Sequence, residues 1–427
     1  MPIDQTMAPN DALAAVTDVV STDRETAPPT AHIVRQAIYD SAVRVVGYEL
    51  IVHGDERSGD ADASAASTVT QIGLNMVGGG AAWVPLSRGF LSGGHANALP
   101  PDRVVFEVAP ELGNDPQALA DIGRLKSAGF GIAIDPFTAG DDVMPLLAMA
   151  SAVKLDGTLD RATLAEHSAA ARLAGAQIVA KNVDTHDAFE TLKELGIDYF
   201  QGTFLCEPKV VEGRPIQINN LNRLRLVAEL QNPDVDMPTL GKVVSRDVGL
   251  SYNLLRFVNS AFFSVPRRIA SIREALVLLG LGHVRRWATL MALFQSNDKP
   301  QELVVTGLVR ARMCELIANA RGERRQAEEY FTTGLFSVVD ALLDVSLIEV
   351  LRQLPFSEEI MDALLRYEGP KGELLHGVLA YERGDFGELI GLVPAGSTPA
   401  DFYTQAVEWA TEAGGGLVAV PDSPHPN

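Results

Sequence analysis

The chain has 427 residues, enough for two or three domains that each bury a core. Hydrophobic residues make up 47% of the chain and charged residues 21%, proportions typical of a globular protein. The 55 acidic residues outnumber the 35 basic ones and give a net charge of -20, which argues against nucleic acid and membrane insertion as modes of action. The first residues lack the basic and apolar segments of a signal peptide, so we expect a cytoplasmic protein.

The first half of the chain has the pattern of an α/β protein. Residues 1–30 are small, polar and proline-containing, which predicts a flexible leader. Short β-type runs then alternate with helical patterns, and the expected strands are 33–39, 43–52, 82–86, 103–108, 131–134, 152–155, 177–180 and 198–200. This alternation predicts a parallel sheet, and the number of units predicts a TIM-type α/β barrel over residues 31–208. The region is short for such a barrel, so we expect some outer helices to be reduced.

The second half has the pattern of an all-α domain. A proline- and glycine-containing stretch at 209–217 predicts a linker, and helical periodicity dominates residues 218–411. The sequence SIRE at 271–274 has the form of a capping box that opens a helix ending at Gly280. Residues 412–427 are expected to form a flexible tail. Cys206 and Cys314 match no metal-ligand spacing and are expected to be structural.

Six motifs in the first half resemble, in order, those of the EAL family of cyclic-di-GMP phosphodiesterases. They are GYELI at 47–51, FEVAPE at 106–111, LKSAGFGIAIDPF at 125–137, VKLD at 153–156, AKNVDT at 180–185 and LGIDYFQG at 195–202. The resemblance implies a barrel in which two divalent ions, held by oxygen ligands, support hydrolysis of a phosphodiester.

Only part of the EAL ligand set has a counterpart in this sequence. The matching positions hold Glu49, Glu107, Asp135, Lys154 and Gln201. At other positions the family's polar residues are replaced by His53, Pro85, Pro110, Pro136 and Lys181. Proline offers no side-chain ligand, and a lysine repels a cation. We therefore expect a degenerate pocket with no catalytic residue, no metal and no cofactor, and no hydrolysis of cyclic-di-GMP with Mg²⁺ or Mn²⁺.

Lys181 is the substitution with the clearest physical consequence. Its ammonium group is expected to take the place of a metal ion and to pair with Glu49 or Asp135, because buried carboxylates require a compensating charge. Replacing Lys181 by methionine is then expected to lower the melting temperature at neutral pH. The dipeptide His186-Asp187 is interpreted as part of a helix start, and Gly78–Gly80 as a turn.

The second half resembles the HDOD family, which is related to HD hydrolases but lacks their metal-binding dyad. The resemblance is carried by LLRFVNSAF at 254–262 and IASIREALVLLG at 269–280. In YFTTGLFSVVD at 330–340, Ser337 and Val338 occupy the positions of the His-Asp dyad. Asn259 and Ser260 mark either a ligand pocket or a helix-terminating cap, and the cap is favoured. The ending at 341–383, with ALLRYEG at 363–369 and AYERGD at 380–385, resembles the tail of the EAL–HDOD two-domain (YuxH-like) family of bacterial signalling proteins, and this resemblance covers nearly the whole ordered chain.

Together the two resemblances predict a non-catalytic signal-transduction scaffold that acts through contacts with other signalling or regulatory proteins. This function is linked to cyclic-di-GMP only by analogy of fold. Two alternatives stay open. One is an active phosphodiesterase with a single-metal site on Glu49, Glu107 and Asp135. The other is a receptor that binds cyclic-di-GMP without cleaving it.

Overall fold

The computed structural model describes residues 32–53, 61–140, 143–209, 218–259, 268–294 and 299–418. The predicted leader, Ser260 and most of the predicted linker lie outside these ranges. Of the predicted tail, residues 419–427 also lie outside them.

The first half forms the closed eight-stranded barrel that the sequence predicts. Each of the eight expected strands is present and pairs with its neighbours in chain order, from β1 round to β8. The strands are β1 (His32–Asp40), β2 (Val45–His53), β3 (Ala81–Leu86), β4 (Val104–Val108), β5 (Gly131–Ile134), β6 (Ala152–Asp156), β7 (Gln177–Lys181) and β8 (Tyr199–Gln201). The predicted α/β barrel is confirmed.

The direction of the first strand differs from the prediction of a parallel sheet. Strands β2 to β8 are parallel to one another, but β1 is antiparallel to both β2 and β8. Only a short turn joins β1 to β2, and the Oδ1 atom of Asp40 accepts hydrogen bonds from the backbone N–H groups of Ala42 and Arg44, each at 2.9 Å. A connection this short permits only antiparallel strands, because parallel strands require a long crossover.

The outer layer of the barrel is reduced, as its length predicts. Its α-helices are α1 (Ala61–Thr68), α2 (Leu74–Met76), α3 (Arg88–Ser92), α4 (Pro116–Ser127), α5 (Met144–Leu147), α6 (Arg161–Leu173) and α7 (His186–Glu194). The longer ones begin at side chains that accept backbone hydrogen bonds, from Asp115, Asp160 and Thr185. The connections from β3 to β4 and from β5 to β6 contain only helices of five residues or fewer.

Two apolar layers hold the barrel together. The larger lies between the strands and the outer helices and includes Phe106, Ile122 and Phe200. The smaller fills the inside of the barrel and consists of Ile38, Trp83, Ala133, Ala152 and Val179, with partly buried neighbours. Side chains alternate between the two faces of a strand, so residues two positions beyond this inner layer point into the mouth of the barrel.

The second half is helical throughout its described residues. Its helices are α8 (Ile218–Gln231), α9 (Met237–Arg246), α10 (Val248–Val258), α11 (Ile272–Leu279), α12 (Leu281–Phe294), α13 (Gln301–Ala320), α14 (Ala327–Phe336), α15 (Val339–Leu343), α16 (Leu347–Leu351), α17 (Glu358–Arg366), α18 (Gly369–Glu382), α19 (Gly387–Ile390) and α20 (Pro399–Val418). As the SIRE motif predicts, Ser271 caps α11, which ends at Gly280.

The chain divides into two compact units. Leu226–Ala292 forms the smaller one, and the described residues within Pro29–Arg225 and Leu293–Asn427 form the larger. In the larger unit, helices α18 and α20 contact strand β1: the buried hydroxyl of Tyr381 donates a hydrogen bond to the carbonyl of Ile33 at 3.1 Å. Helices from the C-terminal part of the chain therefore complete the surface of the barrel.

Among the described residues, no single helix combines the length and apolar composition needed to cross a membrane. Helices α11 and α12 meet that test only when taken together, with a bend of 119° between them.

Helices α13 and α14 pack closely because α14 carries a glycine at the contact. A Cβ atom added to Gly334 would lie 2.6 Å from backbone atoms of Arg310 and Ala311, which cannot move independently of α13. We expect Gly334→Ala to lower the free energy of unfolding by about 1–3 kcal/mol, the usual cost of overpacking a core. The matched control is Gly391→Ala, because that position faces open space. Equal urea-unfolding midpoints for both variants would contradict this packing.

Candidate active site in the barrel mouth

Three carboxylates from three different strands meet at the mouth of the barrel. Glu49 lies in β2, Glu107 in β4, and Asp135 directly follows β5. One oxygen atom from each lies within 4.8 Å of the others, a separation at which all three could bind the same metal ion. Strand geometry explains the convergence, because the carboxyl ends of parallel barrel strands point to one mouth.

Lys154 provides the main compensating charge for this cluster. Its ammonium group is fully buried, 2.6 Å from Glu49 Oε2, and forms a second ion pair with Glu107 Oε1. The same group lies 5.5 Å from the ring centre of Trp83 in the inner apolar layer. Burial lowers the pKa of Lys154, but the charges of Glu107 and Glu49 outweigh burial, so this pKa is raised and the side chain stays protonated.

The two glutamates respond differently to the same surroundings. Burial tends to raise the pKa of Glu49, yet the charge and hydrogen bond of Lys154 hold that pKa below its usual value. Burial and the negative charge of Glu49 raise the pKa of Glu107 to about 8, although Lys154 opposes this shift. Glu49 is therefore ionised at neutral pH, and Glu107 binds a proton more readily than Glu49 does.

Lys181 contacts the third carboxylate. Its Nζ atom lies 2.5 Å from Asp135 Oδ1, so the ammonium group pairs with one of the two partners that the sequence analysis names. The side chain of Lys181 is 29% exposed, whereas that of Lys154 is 0% exposed. Lys154 is thus fixed inside the barrel, and Lys181 borders solvent.

Glutamine side chains orient Glu49. The Nε2 atom of Gln201 donates to Glu49 Oε2 at 2.6 Å and to Gln36 Oε1 at 3.1 Å. Gln201 belongs to a motif in the sequence, whereas Gln36 lies in the middle of strand β1 and belongs to none of the motifs. The direct pairing of Gln36 with Glu49 across β1 and β2 depends on the antiparallel register, which the sequence pattern does not reveal.

Besides Lys181, four positions depart from the family's polar residues. Pro85 in β3 and Pro136 after β5 are exposed, and Pro110 begins a short 3-10 turn after β4. His53 is exposed at the end of β2, where its ring centre lies 6.2 Å from that of Phe386. These residues contribute no oxygen ligand, and the cluster of three acids persists without them.

A cavity of about 440 Å³ opens onto this mouth. Its wall includes Glu49, Lys181 and Gln201 from the barrel, and Arg310 and Glu382 from the helices of the same compact unit. The volume falls within the range of small-molecule binding sites, which is about 300–1,000 Å³.

The dyad positions of the helical half carry no metal ligand. Ser337 donates a hydrogen bond to the carbonyl of Gly334 at 2.8 Å, and Val338 is fully buried. In the smaller unit, Asn259 links the end of α10 to the segment before α11. Its amide group donates to the carbonyls of Leu255 at 2.6 Å and Ile269 at 2.8 Å, and its Oδ1 accepts from the N–H of Ile269 at 2.7 Å. The side chain of Asn259 is occupied by these backbone contacts.

Comparison with known proteins identifies both halves. The EAL domain family matches residues 91–208, and the HDOD domain family matches residues 221–366. A structure of Klebsiella pneumoniae BlrP1, solved as a manganese and cyclic-di-GMP complex, is 24% identical with a TM-score of 0.36, covering 42% of this chain and 56% of that chain.

Two relatives are similar to this chain over most of its length. The Cyclic di-GMP phosphodiesterase CdgJ of Vibrio cholerae is 30% identical over 373 residues, which cover 84% of this chain and 86% of the relative. The uncharacterized protein YuxH of Bacillus subtilis is 25% identical over 401 residues, covering 88% of this chain and 97% of YuxH. The protein belongs to the EAL–HDOD two-domain family.

The expectation that the chain is not an enzyme is wrong. The relative from Vibrio cholerae, similar over most of its length, is named a phosphodiesterase. In addition, Glu49, Glu107 and Asp135 remain close enough to hold one metal ion, despite the substitutions around them. Ligand positions are lost around the mouth, but three carboxylates on converging strands are retained.

Asp340, three residues after Ser337, gives a test of the buried charges in the helical half. Burial, with a contribution from the charge of Glu207, raises the pKa of Asp340 to about 6. The folded state therefore holds this proton more tightly than the unfolded state, and the stability from protonation is lost as pH rises from about 4 through about 6. Above about pH 6, Asp340→Asn is expected to be more stable than the parent by up to about 3 kcal/mol and to melt at a higher temperature. Near pH 4 the two proteins are expected to have the same stability.

Differential scanning fluorimetry across this pH range measures the effect. Asp385→Asn, at an exposed aspartate of the same unit, is the control and should follow the parent throughout. A constant difference between Asp340→Asn and the parent at every pH would show that Asp340 does not titrate in this range.

Proposed function

We propose that the chain is a cyclic-di-GMP phosphodiesterase whose active site is the barrel mouth. The observation that carries the proposal is the cluster of Glu49, Glu107 and Asp135 on three converging strands. Similarity to a named cyclic-di-GMP phosphodiesterase over most of the chain supports it. The 440 Å³ cavity provides room for a small-molecule ligand beside Glu49, the one of these acids that lines it.

The retained residues fit one divalent cation. Carboxylate oxygens are the ligands that Mg²⁺ and Mn²⁺ prefer, and Glu49, Glu107 and Asp135 supply three. Pro85 and Pro136 supply none, which favours one bound ion over two. Held by these carboxylates, such an ion would supply Lewis-acid activation for phosphodiester hydrolysis.

The remaining residues of the mouth orient these ligands and meet the substrate. Gln201 holds one oxygen of Glu49 in place, and buried Lys154 fixes Glu49 and Glu107 relative to each other. Lys181 is the partly exposed cation of the cluster and lines the cavity. Its ammonium group is placed to contact a phosphate of the dinucleotide, since a flexible lysine can exchange Asp135 for another anion.

The direct test is hydrolysis of cyclic-di-GMP by the full chain in the presence of Mn²⁺, followed by chromatography of the linear product. We expect metal-dependent product formation, and its loss in Glu49→Gln, which removes a charged ligand while preserving shape. Binding without hydrolysis would contradict the proposal and indicate a receptor. No binding and no hydrolysis would exclude both functions.

Lys181 gives a second test, because the resembled family has an acid at its position. We expect Lys181→Glu to tighten Mn²⁺ binding by at least about tenfold, since replacing a nearby positive charge by a negative one contributes more than about 1 kcal/mol. Isothermal titration calorimetry measures this affinity. Lys126→Glu, on outer helix α4, makes the same charge change away from the mouth and is the control. Equal affinities for the two variants would show that Lys181 does not border the metal site.

A further inference from the structure

A continuous chain of hydrogen bonds leads from the acid cluster to the helical half. Gln201 donates to Glu49 Oε2 at 2.6 Å and to Gln36 Oε1 at 3.1 Å. The amide group of Gln36 in turn donates to the backbone carbonyl of Glu382 at 3.1 Å. Both ends of the Gln36 side chain are therefore in use, one toward the site and the other toward the end of helix α18.

A buried ion pair fixes the helical end of this chain. Arg310 in α13 is 8% exposed and binds both carboxylate oxygens of Glu382: Nε lies 3.1 Å from Oε1 and 2.9 Å from Oε2, and Nη2 lies 2.9 Å from Oε2. Arg310 also contacts Ser337 Oγ at 3.3 Å and Cys206 Sγ at 3.6 Å. The guanidinium group of Arg310 in α13 therefore contacts three parts of the chain. These are Glu382 at the end of α18, the turn before α15, and the segment after β8.

We propose that the Arg310–Glu382 pair is a positioning element for the barrel site and acts through Gln36. Glu382 is the last residue of α18, where backbone carbonyls lack partners within the helix and need an outside donor. Holding its side chain fixes the direction of its carbonyl, which selects one orientation of the Gln36 amide. That orientation presents Oε1 to Gln201 and leaves the amide of Gln201 directed at Glu49.

The Arg310–Glu382 ion pair does more than stabilise the fold. A buried ion pair adds little stability relative to apolar residues of similar volume, but it can specify one conformation. Here the specified conformation is that of Gln201, whose amide group contacts Glu49, a ligand of the proposed metal site. The catalytic consequence of this inference rests on the proposed function, whereas the hydrogen-bond chain itself does not.

The test removes both charges together, so that neither is left buried alone. In Arg310→Met/Glu382→Met the bulk of both side chains is retained. The control is Lys371→Met/Glu359→Met, which removes another ion pair of the helical half, at 2.7 Å, with no member in the cavity wall. The second partner of Lys371, Glu329, stays in place but is 47% exposed, so it is not left buried alone. The first readout is the set of side-chain amide resonances in chains labelled with ¹⁵N-glutamine. The second is hydrolysis of cyclic-di-GMP with Mn²⁺.

We expect the resonances of Gln36 and Gln201 to shift in the Arg310/Glu382 variant and to stay unchanged in the control. We expect kcat to fall about 10- to 100-fold, as for a displaced catalytic group. Unchanged glutamine resonances would overturn the inference. If the parent is inactive, the proposed function fails, and the resonances still decide whether the pair positions the site.

A second variant covers the case in which the double variant does not fold. Arg310→Lys keeps the positive charge but cannot bind the carboxylate with two parallel donors. We expect smaller shifts of the same two resonances. Resonances identical to those of the parent would again overturn the inference.

Discussion

Three carboxylates can share the mouth of this barrel only because two lysines neutralise them. Without a cation, acids within 4.8 Å of one another repel strongly in partly desolvated surroundings. Lys154 lies between Glu49 and Glu107, and Lys181 contacts Asp135. The remaining features of the site follow from this balance: Glu49 is ionised, Glu107 is easier to protonate than Glu49, and both stay inside the barrel.

The two lysines differ in a way that matters for function. Lys154 stands on the inner apolar layer beside Trp83 and cannot reach solvent, so it stabilises the acids permanently. Lys181 is partly exposed and forms part of the cavity wall. An ammonium group at the rim can be displaced by a divalent ion or can turn toward an anionic substrate. A cluster built in this way is stable without metal and still offers oxygen ligands to one.

The fold could be predicted from sequence to a large extent because its signals are local. The run GIAI gives β5 at Gly131–Ile134, and Ser271 with Glu274 marks the start of α11. The direction of β1 was predicted incorrectly. The alternation of strands and helices indicates a parallel sheet, and only the short turn after Asp40 indicates that β1 is antiparallel to β2. The contact between late helices and β1 was not predicted either, because no periodicity reports which distant faces meet.

The candidate site could likewise be predicted from sequence only in part. The positions of Glu49, Glu107, Asp135 and Lys181 could be identified from motifs, and the cationic role of Lys181 follows from its charge. The double ion pair of Lys154 could not be derived, because it depends on the distance between β2, β4 and β6 across the barrel. The error about catalysis has the same origin: counting substituted ligands does not reveal how close the retained ones lie.

The central claim is that these three acids form one divalent metal site. The most direct measurement is an anomalous difference map from crystals of the full chain grown with Mn²⁺. The account predicts one strong peak within bonding distance of Glu49, Glu107 and Asp135. A map with no peak there, or with its peak at other residues, would contradict it.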